Sequence, residues 1–247
     1  MYNFFIDKNS INGNEIYLSG ENFNHAKNVL RMRVGDEFLI SYNSVSSLCK
    51  ITDVTKSEIV AQIINENCNQ TNLPINVYLF QGLPKSDKME LIIQKAVELG
   101  VYEIIPVETK RSIVKLDGKK ADGKISRWQS ISESAAKQSK RNVIPTVSQV
   151  LTFNQALEKA KQLDLVILPY ENKEGMSATL NALKQLKSGM TVGIFIGPEG
   201  GFEQSEVDAC EQIGAKIISL GKRILRTETA AITTLSMLML YAETFLS

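Results

Sequence analysis

The chain has 247 residues, 43 % of them hydrophobic, and a formal net charge of +1 from 28 Lys/Arg against 27 Asp/Glu. That composition holds enough apolar material for one large or two modest packed domains and excludes a disordered chain. Three scattered cysteines, Cys49, Cys68 and Cys210, with no C-x-x-C spacing, argue against a zinc site and against a disulfide framework. The net charge hides an uneven distribution: residues 73–150 carry 13 basic against 8 acidic side chains, while the flanking thirds are slightly acidic. A modest basic footprint of this kind suits a polyanionic partner.

The N-terminal MYNFFIDKNS has no basic region leading into an apolar run of signal-peptide length, so a cytoplasmic location is expected. Residues 37–42, 49–54 and 59–64 then alternate apolar and polar positions, which predicts short strands best buried as a small β-barrel. One helical interruption is predicted over residues 24–31, where His25, Val29 and Leu30 fall on neighbouring turns. The polar stretch 65–72, followed by Pro74, has the composition of a linker, so two domains are expected, 1–72 and 73–247.

Beyond Pro74 the periodicity becomes a repeated alternation of strand and helix, the signature of an α/β sheet with mostly parallel strands. Strands are predicted at 75–80, 103–106, 164–168, 191–196 and 216–219, and helices at 87–99, 126–139, 153–162, 176–186 and 204–212. Residues 115–124, rich in lysine and containing Gly118 and Gly123, read as a mobile basic loop. Met89 and Trp128, at helical spacing, read as core. The final predicted helix, 228–245, is apolar on more than one face and so calls for burial on several sides, either inside the sheet layer or against a second subunit. Its apolar tract 230–240 is too short and too rich in threonine to span a bilayer.

Two loops carry the chemistry. Ile196-Gly197-Pro198-Glu199-Gly200-Gly201-Phe202 directly follows an apolar strand, and a glycine-rich turn at the carboxyl end of such a strand lets a ligand approach backbone amides. A tight strand-to-helix turn is the alternative reading. No G-x-G-x-x-G fingerprint or G-x-x-x-x-G-K-[ST] loop is present, which removes the usual support for dinucleotide or nucleoside-triphosphate binding. The second loop is Leu220-Gly221-Lys222-Arg223-Ile224-Leu225-Arg226-Thr227-Glu228. Thr227 is expected to cap the last helix, with Glu228 favourably placed in its first turn. Arg223 and Arg226 oppose the helix dipole, which suggests an anionic partner.

The pairing of GPEGGF with LGKRILRTETA resembles the SPOUT methyltransferases, and the wider pattern resembles the 16S ribosomal RNA (uracil-N3)-methyltransferase family, RsmE. The match includes His25 to Arg31 with Val34-Gly35-Asp36, Lys85-Ser-Asp-Lys-Met-Glu90 with Lys95 to Gly100, Arg111-Ser112, Arg127-Trp128, and Ala135 to Ser139 with Arg141 and Pro145. Asn3 and Ser134 depart from it, where the family tends to carry an arginine and an acidic residue.

The resemblance implies a PUA-like β-barrel followed by an α/β domain with a C-terminal trefoil knot. It also implies S-adenosylmethionine held by Leu168, Pro169, Tyr170 and Glu171, by Ile196 to Gly201, and by Leu220, Gly221, Arg223, Ile224, Leu225 and Thr227. No metal is needed. The implied partners are 16S ribosomal RNA or the small subunit, and a second copy of the chain through the C-terminal domain. Arg31, Arg33, Lys137, Lys140 and Arg141 read as phosphate contacts, joined on the RNA-binding side by Lys85 and Arg111. His25, the only histidine, fits a structural or RNA-contacting role better than that of a base. Arg226 either stabilises the anion of the target uracil or braces the loops by pairing with Glu199 or Glu228. Two rival functions stand beside this: methylation of a ribose hydroxyl or another base, and a non-catalytic RNA-binding assembly factor. The repeated glycines Gly197, Gly200, Gly201 and Gly221 weigh against the second.

Overall fold

A computed structural model describes residues 1–246 except Asn69, Ser86, Asp117 and residues 172–174, and leaves out the side chain of Lys119. One residue each of the predicted linker, of the Lys85 to Glu90 motif and of the predicted basic loop thus lies outside the described residues. The chain forms two compact units: Met1–Asn72 with Ala136–Ile144, and Leu73–Ala135 with Pro145–Ser247.

The first unit contains β1 (Asn3–Phe5), β2 (Ile11–Asn12), β3 (Glu15–Leu18), α1 (Gly20–Asn24), β4 (Glu37–Tyr42), β5 (Val45–Val54) and β6 (Ile59–Asn65). They form one six-stranded sheet in the order β1-β4-β5-β6-β3-β2. The expected small barrel is thus present as a curled sheet, a half-barrel with two free edges. Its edge strands β1 and β2 are only three and two residues long and do not pair with each other. Register shifts between Leu48 and Cys49 and between Ile51 and Asp53 bend β5 against β6, the usual effect of an extra residue on one strand. The alternating apolar residues Phe38, Ile40, Cys49, Ile51, Ile59 and Ala61 meet on the inner face with Phe4, Ile16 and Leu18. The predicted helix at 24–31 appears instead as α1 and a π-helical turn, His25–Val29, closed by the Leu30 N–H on the His25 carbonyl at 2.9 Å.

Asn3 and the segment after residue 135 are sewn into this unit by side-chain hydrogen bonds. Asn3 Nδ2 donates to the Arg141 carbonyl at 2.9 Å, and the Ser41 hydroxyl donates to Asn3 Oδ1 at 3.1 Å. Asn142 donates to the Ser44 carbonyl at 2.7 Å and accepts from the Thr71 hydroxyl at 3.0 Å. Asn3, which stands where the family tends to carry an arginine, thus has a buried structural task.

The second unit contains β7 (Asn76–Gly82), α2 (Lys88–Glu98), β8 (Glu103–Glu108), α3 (Gly118–Gln138, whose last three residues belong to the first unit), β9 (Thr146–Val147), β10 (Leu151–Thr152), α4 (Phe153–Ala160), β11 (Leu165–Pro169), α5 (Ser177–Leu183), β12 (Thr191–Ile196), α6 (Gln204–Gln212), β13 (Lys216–Ile218) and α7 (Thr227–Phe245). Every strand pair is parallel, in the order β10-β8-β7-β12-β11-β13 with β9 also on β8. Strands buried on both faces read as unbroken apolar runs, and β12 fits that rule from Val192 to Ile196. Phe80 and Phe195 stack with centroids 4.5 Å apart where β7 and β12 pair.

Helices form where the apolar period allows one face to be buried. In α2 that face is Met89, Ile92, Ile93, Ala96 and Val97, an i, i+3, i+4 stripe. Thr152 and Gln155 build a capping box on α4, and Glu203 and Glu206 build one on α6. The basic loop expected at 115–124 is corrected from Gly118 onward, because α3 already runs there. Ile125, Trp128, Ser132, Ala135 and Ala136 bury one stripe of α3. Once such a stripe is packed, helix propagation through one more glycine costs only about 1 kcal/mol. The last helix buries a single stripe, Thr227, Ala231, Thr234, Leu235, Leu238 and Ala242, and packs on α2. Leu240 and Phe245 remain about two-thirds exposed, so the expected burial on several sides is not met within one chain.

Candidate active site

Three loops leave the carboxyl ends of β11, β12 and β13 and enclose a pocket of about 450 Å³. Pro169, Tyr170 and Glu171 come from the first. Ile196, Gly197, Pro198, Glu199 and Gly201 come from the second. Leu220, Gly221, Arg223, Ile224, Leu225, Arg226 and Thr227 come from the third. The carboxyl ends of parallel strands are where such sheets bind ligands.

Backbone conformation shapes the floor. Gly201 has φ +66°, and a side-chain carbon on Gly197 would stand 3.0 Å from the Gly201 carbonyl carbon. Only glycine lets the turn fold back so closely.

Two of the expected pocket residues are elsewhere. Leu168 is fully buried in the core with Phe80, Val166 and Phe195, because strand alternation turns its side chain into the sheet layer. Gly200 lies against Arg111, whose guanidinium donates to the Gly200 carbonyl at 2.8 Å and to Glu203 Oε1 at 2.8 Å. Arg111 therefore braces the turn from behind. Glu206 supports the same corner: one carboxylate oxygen accepts from the Lys110 backbone N–H and the other from that of Glu203, both at 2.9 Å.

Thr227 is not the helix cap. Arg226 occupies that position with extended backbone and no capping side-chain bond, and Thr227 begins α7 buried. Its hydroxyl donates to the Gly197 carbonyl at 2.6 Å and accepts from Gln81 Nε2 at 2.9 Å. One hydroxyl thus ties the end of β7, the glycine turn and the start of α7 into a single frame. The alternative bracing partners of Arg226, Glu199 and Glu228, are both taken by Lys88, at 2.9 and 3.8 Å. Arg226 itself is exposed and lines the pocket.

Lys222, within the third expected loop, also lines the pocket, as do Lys88, Phe202 and Ala230, which sequence reasoning had not placed there. Phe202 sits inside the glycine-rich motif, so adjacency was the available signal. Lys88 and Ala230 are reached only through the packing of α2 against α7. Burial pushes the Glu199 carboxyl up. Hydrogen bonds from Lys88 and from the backbone, with the Lys88 charge, outweigh it and hold the group below its ordinary value.

The expected RNA-contacting residues divide between the units. In the first, His25, Arg31, Arg33, Lys137 and Lys140 are exposed, and the His25 ring meets Phe4 edge-on at 6.0 Å. Arg141 is corrected: its side chain is 5 % exposed and its guanidinium donates to Asn72 Oδ1 at 3.3 Å, a bracing position. Burial pulls its pKa down to about 10. In the second unit Lys85 and Arg111 are exposed. No group of three or more His, Cys, Asp or Glu side chains among the described residues is arranged to hold a metal ion. No described helix is long and apolar enough to cross a membrane.

A parallel sheet whose strand ends carry three convergent loops, accompanied by a PUA-like curled sheet, fits the class its domains match: an α/β RNA methyltransferase. Residues 71–239 match the RNA methyltransferase domain, and residues 18–64 match the RNA methyltransferase PUA domain. The chain is 40 % identical over 223 residues to ribosomal RNA small subunit methyltransferase E of Bacillus subtilis, covering 89 % of this chain and 87 % of that protein. It is 34 % identical over 238 residues to the protein of the same name from Mesomycoplasma hyopneumoniae, covering 96 % and 98 %. A solved structure of ribosomal RNA small subunit methyltransferase E from Neisseria gonorrhoeae, bound to S-adenosyl methionine, superposes with a TM-score of 0.81 at 29 % identity over 97 % of each chain. The chain belongs to the ribosomal RNA small subunit methyltransferase E family.

Proposed function

We propose that this protein methylates N3 of a uridine in 16S ribosomal RNA with S-adenosylmethionine as donor, acting in the cytoplasm as a homodimer through its second unit. The observation that carries the reading is the pocket of about 450 Å³ where the three loops meet. That volume falls within the roughly 300–1,000 Å³ of small-molecule sites. Its lining combines apolar walls from Ile196, Phe202 and Leu225 with glycine backbone at Gly197, Gly201 and Gly221 that a ligand can approach closely, the mixture a nucleoside with a polar tail requires. Leu240 and Phe245, exposed on α7, supply apolar surface for a twofold contact.

S-adenosylmethionine supplies a methyl carbon made electrophilic by a positive sulfur. The chain's share is alignment and charge. Thr227 and Gln81 fix the Gly197 turn, and so fix the line of approach. Phe202 and Ile196, both buried, keep water from the floor. Uracil N3 bears a proton at neutral pH, and its anion spreads over the flanking carbonyl oxygens. The proton passes to bulk water before N3 accepts the methyl group, and Arg226, at the rim, stabilises the charge left behind. N3 lies on the pairing edge, so the base must be swung out of folded RNA to reach the pocket. The exposed cations of the first unit, Arg31, Arg33, Lys137 and Lys140, grip phosphate.

A calorimetric titration with S-adenosylmethionine, paired with mapping of N3-methyluridine in ribosomal RNA from cells lacking the protein, tests this. Binding with loss of one mark is expected. Absence of binding would point to a non-catalytic RNA-binding assembly factor, and loss of a different mark would shift the target.

A further inference from the structure

Lys88 closes the pocket from outside the three loops. It opens α2, lines the pocket, and holds its ammonium 2.9 Å from Glu199 Oε1 and 3.8 Å from Glu228 Oε2. Glu199 belongs to the glycine turn and Glu228 to the first turn of α7, so one cation bridges three separated segments. The Lys85 backbone N–H adds a second anchor, reaching the two Glu199 oxygens at 3.1 and 3.3 Å.

These side chains are only 14 to 30 % exposed, unlike the open surface pairs that contribute little. Glu228 Oε2 is buried and accepts no hydrogen bond. At 3.8 Å, Lys88 is its nearby countercharge without being a hydrogen-bond donor. Removing the ammonium would take away the countercharge the two carboxylates share, and as both side chains keep some contact with solvent they would relax apart locally and release the clasp. Arg226 also acts on this cluster, opposing the protonation of Lys88. Arg226 has no such bond to either glutamate among the described ion pairs, so it does not replace Lys88.

We infer that Lys88 is a positioning residue for the methyl donor: its two-carboxylate clasp holds the glycine turn against the start of α7 in the shape that binds S-adenosylmethionine. This rests on the function proposed above. The clasp needs Glu199 ionised. The groups acting on Glu199 are Lys88 and the Lys85 and Glu199 backbone, while Arg226 and Glu228 act on Lys88, with Glu171, Lys222 and Arg223 elsewhere on the pocket lining. Because the folded carboxyl titrates below its ordinary 4.5, the clasp is fully present above about pH 4.5 and is lost as pH falls through the lower folded value.

The test is calorimetric titration of S-adenosylmethionine into the full chain and into Lys88→Met, Lys88→Arg and Glu228→Gln, with thermal unfolding of each. Lys88→Met should weaken binding about tenfold while its melting temperature stays near that of the unsubstituted chain, and Lys88→Arg should restore most of the affinity. The acid limb of the affinity–pH profile should flatten in Lys88→Met. Glu228→Gln, which keeps the turn-side bond, should show a smaller loss of about threefold. Unchanged affinity in Lys88→Met, or a loss matched by a collapse of stability that arginine does not rescue, overturns the inference. An unsubstituted chain that binds no S-adenosylmethionine overturns the proposed function instead, and this inference with it.

Discussion

Each unit of the molecule contains a buried polar cluster, and the two are finished differently. In the first unit, Asn3 and Asn142 use both the donor and the acceptor of their side-chain amides, on Arg141, Ser41, Ser44 and Thr71. In the second, Gln81 Oε1 and Glu228 Oε2 are buried without a hydrogen-bond partner, although Gln81 Nε2 and the Thr227 hydroxyl are engaged. Buried polar groups are normally satisfied, and leaving one unpaired costs about 1–3 kcal/mol. The amides of Asn3 and Asn142 are engaged at both ends beside the first sheet, whereas Gln81 and Glu228, next to residues that line or brace the pocket, each keep one buried acceptor oxygen without a hydrogen bond.

That contrast can be broken by substitution. The largest expected effect is from Arg226→Ala: turnover on RNA should fall roughly 10²–10³-fold, the usual loss on removing one stabiliser of a developing anion, with cofactor affinity nearly intact. Single-turnover kinetics with isothermal titration would check it, and unchanged turnover would reduce Arg226 to a rim charge. Next, Thr227→Val strips the hydroxyl shared by Gln81 and Gly197, and should cost about 2–4 kcal/mol in denaturant unfolding together with weaker cofactor binding. A stability loss with no change in binding would separate the frame from the pocket.

The first unit sharpens the comparison from the other side. Asn142→Ala removes both bonds of a buried amide and should cost about 1–3 kcal/mol by urea denaturation, leaving cofactor affinity untouched; a parallel fall in affinity would erase the distinction. The smallest effect belongs to Arg111→Ala. Its pair with Glu203 joins side chains more than 40 % exposed, so the stability change should stay within about 1 kcal/mol. Its bond to the Gly200 carbonyl should appear as a modest rise in KM for the cofactor.

Much of this architecture was legible in local pattern. The alternation at residues 37–42 and 59–64 reproduces β4 and most of β6, and the apolar run 191–196 is β12. The glycine-rich motif after β12 and the basic motif before α7 mark two of the three walls of the pocket. Misreadings came where a residue's role depends on a distant partner. Thr227 has the chemistry of a cap, but its hydroxyl is taken by Gln81, 146 positions away. Arg141 sits among lysines as a phosphate contact would, yet it is buried with Asn72. Residues 118–124 look like a loop because glycine and lysine dominate them, while burial further along, from Ile125 onward, anchors the helix that contains them.

The sequence by itself determined the parallel strand–helix alternation, the glycine turn after β12 and the basic loop before α7, because side-chain period and turn chemistry act over a few residues. Tertiary structure alone decided that the first sheet stays open, that Ala136–Ile144 belongs with residues 1–72, and that Lys88 faces Glu199 and Glu228. Those outcomes are long-range pairings, selected by burial and by the need to satisfy polar groups removed from water, and no local pattern records which distant residue will meet that need.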